Sequence, residues 1–254
     1  MPDISEPQAS SRPSPLLAWP GAVEAGWPDE GVAAHYGDPM REQRTIEESA
    51  GVVDRSNRGV VRITGPDRLS WLHSLTTQAL DGLAAGASAQ ALVLSPNGHV
   101  EHHLTLTDDG TATWMHVEPG TAAALAEFLE SMRFMLRVEV ADVSQDHAVL
   151  SVLGPAAGGL AAGLDGVQAS VNPGSFGTID LIVARDLLPE VAGNLVRRGA
   201  AALPGLRSEE RTTREGNACE RPGGEGGPEK EPAARLARGR RGWLAGPGRG
   251  RSLR

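Results

Sequence analysis

Apolar and polar residues alternate along most of the first 200 positions, and the period of the alternation predicts the elements. In "AQALVLSPNGHVEHHLTLTDDGTATWMHVEP" (residues 89–119) it is close to two, the period of a strand whose side chains point alternately to opposite faces. Two turn signals interrupt it, Pro96-Asn97-Gly98 and Asp108-Asp109-Gly110, so the segment predicts three strands joined by two tight turns. Further strands are predicted at Val60-Val61-Arg62-Ile63, in "RVEVADV", in "AVLSVLG" and in "TIDLIVA".

Helical spacing appears between these strands. "TGPDRLSWLHSLTTQAL" places Pro66 in a first turn, Asp67 at the positive end, and Leu69, Leu72, Leu75 and Ala79 on one stripe. Thr121 stands where an N-cap is expected, ahead of Leu125, Phe128, Leu129 and Met132. Arg41–Ser49, a short Ala/Gly-rich stretch after residue 154, and "LPEVAGNLVRRGA" with Pro189 in its first turn are also predicted helices. Antiparallel hairpins with interspersed helices make an α+β fold of antiparallel sheets with packed helices.

The ends differ in character. Residues 1–30 are rich in Pro, Ser, Gly and Ala and read as a loose, disordered lead, with order beginning at about residue 31. Residues 201–254 contain no Val, Ile, Phe or Tyr but carry 11 Gly, 5 Pro and 11 Arg. Such a stretch offers too little apolar surface to offset its ordering entropy, so a low-complexity, disordered tail is expected. A shifted reading frame in GC-rich DNA is one origin for it; an Arg/Gly anion-binding tail is the other. The main domain is therefore expected over residues 31–200.

Charge and composition narrow the function classes. The net charge is −8, yet residues 201–254 hold 12 Lys+Arg against 7 Asp+Glu, which leaves the first 200 residues strongly acidic. Direct nucleic-acid binding is not expected of them, since phosphate contacts need clustered basic groups. No run of about 18 apolar residues predicts a membrane span, and the first residues have no basic start with an apolar core, so a cytoplasmic protein is expected. A single cysteine, Cys219, makes neither an internal disulfide nor a structural zinc site. "GPAAGG" (154–159) lacks the Lys-[Ser/Thr] of a P-loop, and nothing resembles Gly-x-Ser-x-Gly.

The stretch "SPNGHVEHHLTL" (95–106) carries the most evident chemistry. Alternation puts His99, Glu101, His103, Thr105 and Thr107 on one strand face. Two histidines and a carboxylate suit zinc or iron, but with no second ligand cluster this face reads as a solvated one. His102 shares the other face with Val100, Leu104 and Leu106. It is either a satisfied core histidine or a functional group.

"GVVDRSNRGVVRITGPDRLSWLHSLTTQAL" (51–80) resembles the opening of the glycine-cleavage T-protein (aminomethyltransferase) superfamily. The residues that carry the resemblance are Gly51, Asp54 and Ser56, then Gly65 and Asp67, then Leu75 and Thr77. The match extends over about residues 45–200 and is nearest in character to the YgfZ-type folate-binding branch. The resemblance implies a T-protein-like folate-binding domain with tetrahydrofolate in a central channel. For that branch it implies support of iron–sulfur cluster enzymes, acting indirectly as partners, with effects on tRNA modification.

Two departures qualify what is inherited. The T-protein carries an acidic pair after its Gly-Gly turn, the first acid being catalytic; His102 and His103 stand at those positions. Neutral histidine supplies no negative charge there, and His⁺ repels a cationic intermediate, which argues against aminomethyl transfer. The Lys-Gly-Cys-Tyr-x-Gly-Gln-Glu motif of the YgfZ branch is missing, so the C-terminal part of the domain and the small barrel after it are expected to be incomplete.

The resemblance also places candidate ligand residues. Arg58 falls where the family reaches the channel and either pairs with a folate glutamate carboxylate or sits on the surface. His116 and Glu118 lie where the family contacts folate, with Trp114 and Met115 beside them as packing. Asp180 falls near the acid that holds the pterin ring, or is an exposed strand residue. The expected function is a tetrahydrofolate-binding protein without catalysis. A tetrahydrofolate-dependent aminomethyltransferase or demethylase, and an inactive remnant, are the alternatives.

Overall fold

The computed structural model describes residues 12–172 and 177–200. The tail expected after residue 200, with Cys219, lies outside them. Within them the chain is mixed α and β, with two antiparallel sheets and helices on their outer faces.

The larger sheet has five strands in the order β5 (Ser88–Leu94), β6 (Val100–Asp108), β7 (Ala112–Val117), β4 (Gly59–Thr64) and β8 (Glu139–Asp142). The smaller has four, in the order β10 (Val167–Val171), β11 (Ile179–Ala184), β9 (His147–Leu153) and β3 (Gly51–Asp54). A two-stranded ribbon, β1 (Val23–Glu24) with β2 (Ala33–His35), precedes them. The helices are α1 (Pro39–Glu48), α2 (Arg68–Leu75), α3 (Ala122–Ser131), α4 (Ala157–Ala161) and α5 (Leu188–Arg197).

Three apolar clusters build the layers. Val61, Ile63, Leu104, Leu106 and Met115 of the larger sheet pack with Trp71 and Leu72 of α2 and with Leu125 and Leu129 of α3. Val52, Leu150, Val152, Leu181 and Val183 of the smaller sheet pack with Leu188, Val191 and Leu195 of α5. Val60 and Trp114 of one sheet meet Val149, Ala169, Val171 and Ile182 of the other. The result is helix, sheet, sheet, helix. Each fully buried leucine or isoleucine in these clusters contributes about 1.5–3 kcal/mol relative to leaving it exposed.

The three strands read from residues 89–119 form as predicted, including both turns. One expectation changes. The face of β6 that begins with His99 is solvated only at its start, where Glu101 is exposed; Thr105 and Thr107 are buried. The smaller sheet covers that half of the strand, which alternation within one segment cannot reveal. The lead also differs. From Arg12 it is packed, with a 3₁₀ turn at Pro15–Ala18, Leu16 in the core and the β1–β2 ribbon beyond. Thr121 stands at the N-cap of α3 as expected, but its side chain makes no capping bond. Its hydroxyl donates instead to the Glu118 carbonyl oxygen at 2.8 Å, which braces the turn after β7.

Two motif positions from the sequence have structural explanations. Gly65 has φ +109°, and a Cβ there would lie 2.1 Å from the carbonyl oxygen of Arg137. Asp67, two residues on, accepts from Arg137 Nε at 2.9 Å and Nη2 at 2.6 Å. The Gly-x-Asp element thus clips the start of α2 to the segment entering β8. Those hydrogen bonds hold the Asp67 carboxyl down at about 2.

Candidate functional site

Asp54 ends β3, Gly59 begins β4, and the four residues between them turn the chain from the smaller sheet into the larger. The turn closes through Arg58 N–H to the Arg55 carbonyl at 3.0 Å. Ser56 N–H donates to Asp54 Oδ1 at 3.0 Å, the Asx-type bond that Asp-x-Ser sequences favour. Gly59 lets β4 pass close to α3, since a Cβ there would stand 2.5 Å from Ala122 Cβ. This geometry aims Arg58 inward, and it is buried.

Arg58 uses all three of its nitrogens. Nε donates to His116 Nδ1 at 2.9 Å; Nη1 and Nη2 donate to Glu118 Oε2 and Oε1 at 3.1 and 2.8 Å. The first bond fixes the tautomer of His116: Nδ1 accepts, so the ring proton is on Nε2. That proton faces Asp180 Oδ2 at 3.0 Å. Asp180 Oδ1 accepts from the hydroxyl of Ser151, and Arg55 Nη1 stands 4.0 Å from the same oxygen. One chain of charge-assisted bonds therefore runs from Glu118 at the rim through Arg58 and His116 to Asp180 and Ser151 inside.

The electrostatics are consistent with that order. Burial, aided by the positive charges of Arg58 and Arg55, pushes the His116 pKa down, so the ring is held neutral. Burial alone would raise Asp180; its bonds to His116 and Ser151 and the nearby Arg55 outweigh this and hold it below the usual carboxylate range. Glu118 follows the same pattern, burial opposed and overcome by Arg58, Arg55 and His103.

Four of the five candidate residues, Arg58, His116, Glu118 and Asp180, meet in this network. Neither surface alternative holds: Arg58 and Asp180 are both buried. His102 does not join them. It pairs across the ladder with Val93, whereas His116 pairs with Thr105, so by strand alternation His102 lies on the opposite, helix-covered face of the sheet. Its Nδ1 is buried with no hydrogen-bond partner, and burial pushes its pKa down. His103, its neighbour, lies on the network's face and contacts Gln90 Oε1 through Nε2 at 3.2 Å. Among the described residues no three His, Cys, Asp or Glu side chains gather as metal ligands.

Two members of the network were missed from sequence, Arg55 and Ser151. Ser151 is the lone hydroxyl in the apolar run of β9, a signal that was available. Arg55 lies next to Ser56 of the Asp-x-Ser element, with no local signal that marks it as inward-facing.

This donor set suits a molecule with a hydrogen-bond-donating heteroaromatic edge and a terminal carboxylate. Each carboxylate oxygen of Asp180 accepts one bond from protein and keeps a lone pair. Beside it stands Arg55, whose side chain is 36% exposed where that of Asp180 is 2%. No described helix is long and apolar enough to cross a membrane.

The family model described as the GCVT N-terminal domain matches residues 33–184. A curated aminomethyltransferase from Chromobacterium violaceum is 32% identical over 136 residues, which is 52% of this chain and 36% of that protein. One from Cutibacterium acnes is 30% identical over 136 residues, 52% of this chain and 35% of that protein. The chain thus matches little more than a third of the length of these relatives. Among solved structures, the glycine cleavage system aminomethyltransferase T from Bartonella henselae superposes with a TM-score of 0.58 at 19% identity, over 69% of this chain and 54% of that one. That likeness establishes the fold.

Proposed function

The chain belongs to the GCVT N-terminal domain family, and from that premise we propose that it is a tetrahydrofolate-binding protein of the YgfZ type. The observation that carries the binding claim is the convergence of Arg58, His116, Glu118 and Asp180, which lie up to 122 positions apart in the chain, on one network. In this reading Asp180 accepts the 2-amino edge of the pterin, and the guanidinium of Arg58 faces the glutamate carboxylate. Tetrahydrofolate, when bound, supplies the complementary donors and that carboxylate.

The proposal excludes aminomethyl transfer for a physical reason. His102 occupies the position that the T-protein resemblance assigns to the catalytic acid. It is kept neutral by burial and lies on the other face of the sheet from the network. A cationic intermediate would find no compensating carboxylate from it. Support of iron–sulfur enzymes and the downstream effect on tRNA modification come with the YgfZ resemblance, and a cytoplasmic setting is part of the same proposal. The alternative is favoured by the Chromobacterium and Cutibacterium relatives, which are aminomethyltransferases. Assay of the purified chain for aminomethyl transfer alongside tetrahydrofolate titration separates the two. Binding without transfer supports the proposal, whereas transfer at enzymatic rates overturns its non-catalytic part.

A further inference from the structure

We infer that Glu118 is a latch, an internal carboxylate that occupies Arg58 until the carboxylate of an incoming ligand takes its place. This rests on the folate reading for the identity of the natural ligand, though not for the exchange itself.

The two halves of the Arg58–Glu118 ion pair are unlike. The Arg58 side chain is 6% exposed and that of Glu118 55%. The arginine is held from behind, with Nε on His116 and His116 backed by Asp180. Among the described residues its Nη nitrogens donate only to the Glu118 carboxylate. An ion pair with one exposed partner is cheap to open, but a buried guanidinium left without a counter-charge is not. Any opening therefore favours replacement by another carboxylate, one for one.

Glu118 is built to release. Its backbone is braced, its carbonyl accepting from Thr121 N–H at 3.2 Å and from the Thr121 hydroxyl. The side chain alone has to move, and the positive charge of Arg55 already acts on it. The Arg68–Asp108 pair shows the opposite design. Its bidentate geometry is similar, but both side chains are nearly inaccessible, at 11% and 1%, and Asp108 also accepts from Thr113 Oγ1 and Gly110 N–H. That pair offers no exchange.

The consequence is an affinity penalty that depends on the latch. A ligand carboxylate meets a competent Arg58 only in the fraction of molecules with Glu118 swung away, and the apparent dissociation constant rises by the inverse of that fraction. Removing the latch charge removes the penalty.

The test follows the Arg58 Nε–H resonance by ¹⁵N NMR while the full chain is titrated with glutarate, a dicarboxylate with no pterin, and in parallel with tetrahydrofolate. Glu118→Gln and Glu118→Asp are compared with wild type. The inference expects Glu118→Gln to bind glutarate at least about tenfold more tightly than wild type, with the Arg58 resonance shifting. Glu118→Asp, shorter by one methylene, should lie between. Tetrahydrofolate should gain in the same order, and tetrahydropterin lacking the benzoylglutamate tail should gain nothing. Unchanged glutarate affinity in both variants, or weaker tetrahydrofolate binding in Glu118→Gln, would overturn the latch. If glutarate behaves as expected while tetrahydrofolate binds to no variant, the latch stands and the folate reading fails.

Discussion

Asp180 of β11 and His116 of β7 come from different sheets and meet at 3.0 Å, each side chain 2% exposed. The contact ties the two sheets together at one point and orders the candidate site around it. Because His116 accepts from Arg58 through Nδ1, the bond to Asp180 is that of a neutral imidazole with a carboxylate. The network thus keeps its negative charge on Asp180 and its positive charge on the arginines.

This arrangement predicts acid sensitivity. His116 has its pKa depressed in the folded state, so below about 6.5 the unfolded chain binds a proton that the native state refuses. Asp180, also depressed, adds stability that is present above its unfolded pKa near 3.9 and lost as pH falls through the folded value. Both contributions have the same sign. The melting temperature is expected to fall from pH 7 to pH 5, and His116→Gln to flatten that slope. A wild-type melting temperature that is constant or rises over this range would contradict the depressed His116.

Removing Asp180 leaves Ser151 and His116 without their shared acceptor and Arg55 without a nearby counter-charge. Asp180→Ala is expected to lower stability by about 3 kcal/mol, as for other buried pairs broken from one side. Chemical denaturation at pH 7 measures it. Loss well under 1 kcal/mol would show that the network is not closed in solution.

Asp108 provides the control away from the site. Its bonds to Arg68, Thr113 and Gly110 are buried beneath α2. Asp108→Ala should cost about 3–5 kcal/mol by urea unfolding and, measured under conditions where the variant remains folded, leave tetrahydrofolate affinity unchanged.

Gly65 tests the clip between α2 and β8. With φ +109° and no room for a Cβ beside the Arg137 carbonyl, Gly65→Ala is expected to destabilise by more than about 2 kcal/mol. Urea unfolding at pH 7 reads this, and a neutral substitution would show that the close approach is absent.

Much of this was legible in the sequence because the informative signals are local. The hairpins of residues 89–119 combine strict alternation with unambiguous turn chemistry, and they formed with both turns in place. The parity of β6 already set His102 apart from His103. The strand Val167–Val171 was missed because "VQASV" is short and sits between Gly166 and Pro173, where turn signals dominate. The packed lead was missed because strands of two and three residues carry no period, and Leu16 is buried by partners far along the chain. Burial of Thr105 and Thr107 depends on the second sheet arriving over β6, a tertiary event that no segment of the strand encodes.

Calorimetric titration of the full chain with tetrahydrofolate at pH 7, repeated on Asp180→Asn, tests the central claim most directly. The account predicts saturable binding by the wild type at ligand concentrations well below millimolar, weakened at least about tenfold in the variant, in line with the loss of one or two charge-assisted hydrogen bonds. No heat of binding up to about millimolar tetrahydrofolate, or equal affinity in the two proteins, would contradict it.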